Sequence, residues 1–238
     1  DMTLEDVQTL HDGALMPTYG RFPVALESGH GATAVDVNGK EYIDFGSGIG
    51  VNALGYCDPG WTAAVSAQAA KLQHISNLYY SPVQAAFADE LCRAAGMGRA
   101  FLCNSGAEAN ECAFKLARLH AKKLAGASAK AAGSDAAAVR AAEAAAPRLI
   151  VTLDASFHGR TLATLAATAQ PAKQEAFQPL PDGFVRTPLN DVAALEELFV
   201  RQGDAICAMV VECVQGESGV HPCTAEFLQT ARRLTDQA

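Results

Sequence analysis

Ser105, Gly106 and Ala107 form the stretch of this chain whose residue types and spacing most directly suggest chemistry. They follow a short apolar run at 100–103, predicted to be a strand, and they open a segment with helical periodicity. The first N–H groups of a helix have no acceptor within it and the helix dipole is positive there, so such a turn is typical of a phosphate seat. Gly106 lets a ligand approach the backbone, and Ser105 offers a hydroxyl. An ordinary helix N-cap is the alternative that this stretch alone leaves open.

Two more loops follow apolar runs of strand length, at 154–160 and at 212–219. In a parallel sheet, ligands bind beyond the carboxyl ends of the strands, so we expect both loops to lie beside the turn at Ser105. A phosphate seat, a flat apolar ring and an arginine would suit a phosphorylated aromatic cofactor and a carboxylate substrate, because arginine binds carboxylates in a two-pronged fork. The loops supply Phe157, His158 and Arg160 in the first, and Glu212, Gln215 and Glu217 in the second.

Strand and helix patterns alternate around these loops, which predicts an α/β fold with a mainly parallel sheet flanked by helices. Residues 148–153 and 205–211 are predicted strands, and the second is typical of a strand buried on both faces. Helices are predicted at 61–73, 83–95 and 191–201. A further helix follows Ser105, with a predicted apolar face of Ala109, Cys112, Ala113, Leu116 and Ala117.

The N-terminal part and one internal segment have other patterns. An extended arm is predicted for residues 1 to about 30. A hairpin should follow it, because Asn38-Gly39 between two strand-like runs favours a type I′ turn. Residues 121–147 are rich in alanine and lack aromatic side chains, and we interpret them as an inserted helical excursion or a mobile loop.

The composition argues against several classes of function. The 238 residues carry a net charge of -8, whereas nucleic-acid-binding proteins usually show a basic footprint. No apolar run reaches membrane-spanning length, and neither the cysteines nor the histidines show metal-ligand spacing. The seven cysteines are interpreted as reduced core residues, which favours a cytoplasmic protein.

Three segments resemble, in the same order, the signatures of the class III aminotransferases, which are pyridoxal-phosphate enzymes of fold type I. Residues 42–55 are also similar, and within the family the chain most resembles the acetylornithine aminotransferases. Four matches in the family's order are far more specific than any one of them. The three signature segments are 104–111, 156–161 and 212–217.

The resemblance implies a cofactor site and a domain division. Gly106 and Ala107 would bind the phosphate of pyridoxal 5′-phosphate through their N–H groups, with Ser105 beside them. Phe157 would stack on the pyridine ring. His158 would help to hold the cofactor site without touching the reacting atoms, and a catalytic base is the alternative role for it. Residues 1–45 would be an arm and hairpin belonging to a small domain, and residues 46–238 a large cofactor-binding domain that is incomplete at its C-terminus.

The resemblance also implies substrate contacts. Arg160 would bind a substrate carboxylate, and Glu217 would control a second arginine that the family supplies from its C-terminal part. Glu212 would orient neighbouring groups. Tyr19 stands where ornithine-type members hold a tyrosine near the substrate, although a tyrosine packed on the surface is an equal alternative.

The implied reaction is ping-pong transamination from the terminal amine of N-acetylornithine or succinylornithine to 2-oxoglutarate, in arginine metabolism. The family works as a homodimer, and a cytoplasmic location is expected. Ile49 stands where ornithine aminotransferases tend to carry a tyrosine, which favours an acylated donor. Tyr56, Asp58 and Cys213 depart from the usual histidines and proline, and they weaken the subfamily assignment more than the function.

No residue of this chain matches the Schiff-base lysine of the family. A stretch around Lys130 loosely resembles the lysine signature, but it precedes Phe157 and so has the wrong order. We therefore expect the N-terminal portion of a longer enzyme, inactive alone; a split subunit or a decayed paralogue are alternatives. A non-catalytic ligand-binding or dimerisation subunit, an ornithine or 4-aminobutyrate aminotransferase, and an aminomutase or decarboxylase also stay open.

Overall fold

The computed structural model describes residues 2–217 and 219–238. The chain forms two compact units, one ending at Ala94 and the other covering Ala95–Ala238. The division after residue 45, into a small-domain segment and a large domain, stays a prediction. Within the described ranges, no helix has the length and apolar character needed to cross a lipid bilayer.

The first unit contains a three-stranded antiparallel sheet, with one helix before it and a four-residue helix and two longer ones after it. Its elements are α1 (Leu4–Ala14), β1 (Leu26–His30), β2 (Thr33–Asp36), β3 (Glu41–Ile43), α2 (Ser47–Gly50), α3 (Pro59–Lys71) and α4 (Pro82–Ala95). Helices α3 and α4 confirm the two helices predicted here. Each begins with a proline, which suits the first turn because its missing N–H would have had no acceptor there.

The predicted extended arm is wrong for the residues that form α1. Thr3 and Asp6 make a capping box, in which the Thr3 hydroxyl accepts the Asp6 N–H at 3.2 Å and the Asp6 carboxylate accepts the Thr3 N–H at 2.9 Å. These bonds satisfy N–H groups that a helix start leaves free, so they favour a helix at this place. Residues 15–25, between α1 and β1, form no helix or strand.

The hairpin of β2 and β3 is present, but its turn is not the predicted type I′. Gly39 has a φ of +79°, whereas Asn38 is not in the left-handed region. The Asp36 N–H donates to the Lys40 carbonyl at 3.0 Å, which closes a three-residue connection with Gly39 as its left-handed residue. The Asp36 carboxylate accepts the N–H groups of Asn38 and Lys40 at 2.9 and 3.0 Å, and these bonds hold the wider turn.

The second unit is an α/β arrangement. Its elements are α5 (Gly106–Ala131), α6 (Ala136–Ala144), β4 (Leu149–Leu153), α7 (Leu162–Ala167), α8 (Pro171–Gln174), β5 (Phe184–Thr187), α9 (Val192–Gln202), β6 (Ile206–Met209), β7 (Val214–Gln215), β8 (His221–Pro222) and α10 (Ala225–Gln237). Strands β5, β4 and β6 form a parallel sheet in that order. The α/β class, the strands β4 and β6 and the helix α9 are confirmed, whereas β5 escaped the sequence analysis because it is short and carries a charge.

Helices cover both faces of this parallel sheet. On one face Val151 of β4 packs with Leu195 of α9 and Phe227 of α10, all fully buried. On the other face Ile150 packs with Phe114 of α5. Because successive strand residues point to opposite faces, β4 contributes to both clusters. The sheet is therefore held firmly between helices, and the loops at its carboxyl ends start from fixed positions.

The predicted apolar face of α5 is wrong. Leu116 of that face is 57% exposed, whereas Phe114 is buried with its ring centroid 5.1 Å from that of Phe184. Phe184 lies on β5, the strand that the sequence analysis missed. The buried face of α5 thus depends on a partner that helical periodicity alone does not identify.

The predicted strand before Ser105 is also wrong. Residues 100–103 are not part of a strand, and Phe101 is 61% exposed. An apolar run becomes a strand only where a neighbour supplies ladder hydrogen bonds. No strand in the part of the chain that the structure describes pairs with this run.

The alanine-rich residues 121–147 are mainly helical, which confirms the helical excursion rather than the mobile loop. Helix α5 continues to Ala131, and α6 packs beside it. Gly126 of α5 faces the Glu143 side chain of α6, so the missing Cβ permits the close approach.

The cysteines are free thiols, but they are not core residues as predicted. Cys57, Cys103 and Cys213 are exposed, and the other four are half-buried. No group of three or more histidine, cysteine, aspartate or glutamate side chains within the described residues could hold a metal ion.

Candidate active site

The start of α5 presents free backbone donors. Ser105 is the N-cap, and its hydroxyl accepts the Glu108 N–H at 3.2 Å. The Glu108 carboxylate folds back to accept the Asn104 N–H at 2.6 Å. The N–H groups of Gly106 and Ala107 have no acceptor among the described residues, and a Cβ added at Gly106 would meet no atom within 4 Å. The turn therefore offers two aligned donors and open room beside them, which fits a phosphate group.

The loop at 154–160 is fixed by bonds to its own surroundings. The Thr168 hydroxyl, which is buried, accepts the His158 N–H at 2.9 Å. The buried Ser156 hydroxyl accepts the Ala169 N–H at 3.3 Å. Gly159 has a φ of +132° and packs closely against Ala107. A Cβ added at Gly159 would lie only 2.7 Å from the Ala107 Cβ. The loop thus contacts the start of α5 directly.

The three predicted loops meet, as the sequence analysis expected. The Asn110 side chain of α5 donates to the His158 carbonyl at 2.8 Å. The Glu212 carboxylate accepts the Phe157 N–H at 3.0 Å, and the buried Gln215 side chain donates to the Asp154 carbonyl at 3.0 Å. Each bond joins residues far apart in the chain, so the second loop is held from both sides. Ser218, in the third loop, lies outside the described residues.

Two cations flank the Phe157 ring. The Arg160 guanidinium lies 5.6 Å from the ring centroid, and the Lys173 ammonium lies 4.9 Å from it. Lys173 also forms an ion pair with Glu217. The bond from Lys173 lowers the pKa of the Glu217 carboxyl, and Gln170 and Arg160 act in the same direction. No motif contains Lys173, so no signal in the sequence pointed to it.

Glu212 differs from Glu217 in its electrostatics. Burial raises the pKa of the Glu212 carboxyl, the bond from the Phe157 N–H opposes this rise, and the charge of Glu217 adds to it. The bond to a backbone N–H gives Glu212 a fixed place beside the loop. The geometry therefore lets Glu212 hold Phe157 in position.

His158 is 3% exposed, and its ring Nε2 has no hydrogen-bond partner within the described residues. Burial lowers the pKa of the imidazole below its ordinary value of 6.5, because the charged form loses its hydration. The side chain is thus kept neutral near pH 7. Its backbone N–H and carbonyl, which bond to Thr168 and Asn110, help to fix the loop.

The buried His158 predicts a pH dependence of stability. Since its pKa is lower in the folded state, the unfolded chain binds the proton more readily below pH 6.5. Neutral His158 therefore makes its full contribution to the free energy of unfolding above pH 6.5. This contribution is lost as the pH falls toward the folded-state pKa, by at most about 1.4 kcal/mol per pH unit.

Urea denaturation of the full-length protein at pH 7.5 and 5.5 would measure this effect. We expect His158→Gln to lose less stability than the wild type between these pH values. His120→Gln, on an exposed position of α5, is the matched control and should behave like the wild type. An identical pH dependence in His158→Gln would contradict the prediction.

Tyr19 lies in the first compact unit. It is 75% exposed, and the Arg21 guanidinium stands 5.9 Å from its ring centroid. Its place near a substrate stays a prediction.

Comparison with known proteins identifies the family. The sequence model described as aminotransferase class-III matches residues 15–238. The chain belongs to the class III aminotransferases. Its resemblance to the family and the fold expected from it are thereby confirmed.

Individual members of the family are similar over nearly the whole chain. The acetylornithine aminotransferase of Methanocaldococcus jannaschii is 43% identical over 218 residues, which cover 92% of this chain and 50% of the relative. A crystal structure of ornithine aminotransferase from Toxoplasma gondii matches with a TM-score of 0.82 at 27% identity, covering 99% of this chain and 51% of that one. Acetylornithine aminotransferase from Elizabethkingia anophelis matches with a TM-score of 0.73 at 29% identity, covering 100% and 51%. The chain spans about half the length of the curated relatives it matches.

Class III aminotransferases depend on pyridoxal 5′-phosphate, and the Toxoplasma gondii structure is described as having partial occupancy of this cofactor at its active site. The residues of this chain fit the group. Two free N–H groups at the start of α5 suit its phosphate, and the half-buried Phe157 ring suits its flat pyridine.

Proposed function

We propose that the full-length protein containing this chain transfers the terminal amine of N-acetylornithine, or of succinylornithine, to 2-oxoglutarate in arginine metabolism. The observation that carries the proposal is the meeting of a free helix N-terminus, an aromatic ring and an arginine in one site. The name of the Methanocaldococcus jannaschii relative supports the acylated donor.

In this proposal, the chain's own residues hold the cofactor and orient the substrate. The N–H groups of Gly106 and Ala107 bind the phosphate, with the Ser105 hydroxyl beside them. The Phe157 ring lies against the pyridine, and Glu212 holds the Phe157 backbone in place. When bound, the cofactor supplies an electron sink for the carbon from which a proton is removed.

Substrate recognition falls to the charged groups around Phe157. Arg160 binds a substrate carboxylate with two parallel hydrogen bonds, which fixes the direction in which the rest of the substrate extends. Glu217 controls a second arginine, which we assign, as the family resemblance implies, to a C-terminal part of the protein outside this chain. We assign the lysine that carries the cofactor to a part of the protein outside this chain. A homodimer and a cytoplasmic location complete the proposal, the latter supported by the free cysteines.

The test uses the full-length protein with added pyridoxal 5′-phosphate. Glutamate formed from 2-oxoglutarate is measured with N-acetylornithine, succinylornithine, ornithine and 4-aminobutyrate as donors. We expect the highest kcat/KM with an acylated ornithine. A preference for ornithine or 4-aminobutyrate would move the assignment to another member of the family, and no glutamate with any donor would favour a non-catalytic binding subunit.

A second measurement tests the phosphate seat without activity. Gly106→Pro removes one of the two free N–H groups, and proline suits the first helical position, where open space surrounds Gly106. We expect the variant to fold but to retain the cofactor about tenfold more weakly on dialysis, since a hydrogen bond to a charged group is lost. Gly106→Ala keeps the N–H and is the matched control. Equal retention by both variants would count against the seat.

A further inference from the structure

Two cysteines stand opposite each other at the open end of the hairpin formed by β7 and β8. The hairpin pairs Val214 with Pro222. One position further from its turn, the Cys223 N–H donates to the Cys213 carbonyl at 2.9 Å. Directly opposite residues of an antiparallel pair lie on the same face of the hairpin. The side chains of Cys213 and Cys223 are therefore cross-strand neighbours.

The spacing of such a pair suits a disulfide. Opposite residues of a hydrogen-bonded antiparallel pair have Cα atoms about 5.5 Å apart, within the range of roughly 4.4–6.8 Å found in disulfides. Burial raises the pKa of the Cys223 thiol, and the neighbouring Cys213 and Glu212 add to this rise. Within the described residues no third ligand joins the two thiols to make a metal site. The geometry is thus that of a dithiol pair.

The two thiols differ in their access to solvent. Cys213 is exposed, whereas Cys223 is half-buried and its Sγ donates to the Glu212 carbonyl at 3.4 Å. A dissolved oxidant therefore reaches Cys213 first, because the reactivity of a thiol depends on its access as well as on its thiolate fraction. Cys223 is placed to attack the Cys213 sulfur afterwards.

The pair lies at the base of the third loop of the candidate site. Glu212, next to Cys213, accepts the Phe157 N–H at 3.0 Å, and Gln215, two residues further along, is buried. A bond between Cys213 and Cys223 would join the beginning of this loop to its end. Cys213 is also one of the positions at which the chain departs from the usual pattern of the family, so the pair belongs to this chain and not to the family's common machinery.

We propose that Cys213 and Cys223 form a redox-active pair, which a small-molecule disulfide such as glutathione disulfide oxidises to a reversible intrachain disulfide. The Cys213 thiolate attacks one sulfur of the small disulfide, forms a mixed disulfide and releases one small thiol. The Cys223 thiolate then attacks the Cys213 sulfur, forms the protein disulfide and releases the second small thiol. The two protein thiols are oxidised, the small disulfide is reduced, and the protons of the protein thiols end on the released thiols.

Reversibility follows from the exposure of Cys213. Exposed disulfides are reduced more readily than buried structural ones, and in a reducing compartment such bonds are transient. The inference goes beyond the proposed function, since it does not depend on the donor or the acceptor of the amino group.

The experiment uses the folded full-length protein, incubated with glutathione disulfide. Remaining thiols are blocked with N-ethylmaleimide, and the protein is digested with a protease that cleaves after glutamate. Cleavage after Glu212, Glu217 and Glu226 places the two cysteines in separate peptides, 213–217 and 218–226, and separates both from Cys207. We expect mass spectrometry to find these peptides joined, with a mass below their sum by the hydrogen atoms of the two thiols. Excess reduced glutathione should return them to the separate, blocked form.

Variants separate the two steps of the reaction. Cys223→Ser should leave Cys213 as a lasting mixed disulfide with glutathione, because the thiol that displaces glutathione is absent. Cys57→Ser, at another exposed thiol, is the matched control and should give the joined peptides as the wild type does. Should Cys223→Ser fail to fold by circular dichroism, Cys223→Ala carries the same expectation.

Three results would overturn the inference. The first is the absence of joined peptides in the folded wild type. The second is glutathione retained on Cys213 to the same extent in the wild type and in Cys223→Ser, because Cys223 would then not reach Cys213. The third is joined peptides that form only in urea, because the hairpin would then not bring the thiols together. A wild-type protein that forms no glutamate defeats the proposed function instead and leaves this measurement unaffected.

Discussion

Replacing Arg160 by methionine should lower kcat/KM for 2-oxoglutarate roughly a hundredfold in the full-length enzyme. Truncating one partner of a hydrogen-bonded charge pair in a binding site costs enough affinity for such a loss. The Arg160 guanidinium has no ion-pair partner in the described part of the chain, so its removal costs the fold only the contact with the half-buried Phe157 ring, whose centroid lies 5.6 Å away. The variant should therefore bind the substrate carboxylate more weakly, while its free energy of unfolding stays nearly unchanged.

Two further variants separate charge from geometry at Arg160. Arg160→Lys keeps the charge but not the two-pronged fork, so an intermediate loss is expected. Arg201→Met, which removes an exposed arginine of α9 paired with Glu197, should leave the steady-state kinetics unchanged. If Arg160→Met kept the wild-type kcat/KM, another cation would have to bind the carboxylate, and Lys173 would be the first to examine.

Gly159→Ala should lower the free energy of unfolding by about 3 kcal/mol, as the sum of two causes. Gly159 has a φ of +132°, a region that an L-residue occupies only with strain of roughly 1–3 kcal/mol. The added Cβ would also stand 2.6 Å from the Thr164 hydroxyl and 2.7 Å from the Ala107 Cβ, and overpacking of this kind costs about 1–3 kcal/mol more. Thr164 is fully buried, so it has little room to move.

The control for this variant is Gly133→Ala. Gly133 also has a positive φ, +79°, but a Cβ there would meet no atom within 4 Å, so only the backbone strain of about 1 kcal/mol is expected. Urea denaturation of both variants measures the difference, which reports the extra cost of the close contacts with Thr164 and Ala107 and of the less accessible φ at Gly159. Equal destabilisation by the two variants would contradict the prediction. We also expect Gly159→Ala to lower kcat/KM, since the displaced loop carries Phe157 and Arg160.

Predictions from the sequence succeeded where the formation of an element depends only on residues close to it in the chain. Ser105 caps α5 because its hydroxyl reaches an N–H three residues away, and this needs no partner from elsewhere. The strand β4 and the helices that begin with prolines follow from local patterns in the same way. The turn at Gly39 shows the limit of this approach. The Asp36 side chain accepts the Asn38 N–H, and the connection is a three-residue turn instead of the type I′ turn predicted from Asn38-Gly39.

Predictions failed where the cause lies far along the chain. The buried face of α5 depends on Phe184 of β5, and residues 100–103 have no neighbouring strand among the residues that the structure describes. Lys173 illustrates the same limit at the site itself. Its pairing with Glu217 joins positions 44 residues apart, and nothing in the type or spacing of either residue identifies the other.

The sequence by itself determined the family, the three loops and the residue types that they carry, since each motif is a run of adjacent residues. Only the tertiary structure decided which of these side chains are paired. The bonds of Asn110 to His158 and of Glu212 to Phe157 span 48 and 55 residues. The second forms because the neighbouring parallel strands β4 and β6 end at one edge of the sheet, and the first because α5 packs on a face of the same sheet. The hydrogen bonds of the buried Gln174 side chain to the carbonyls of Leu165 and Thr168 hold α8 in place, and this long-range contact, rather than any local signal, brings Lys173 to Glu217.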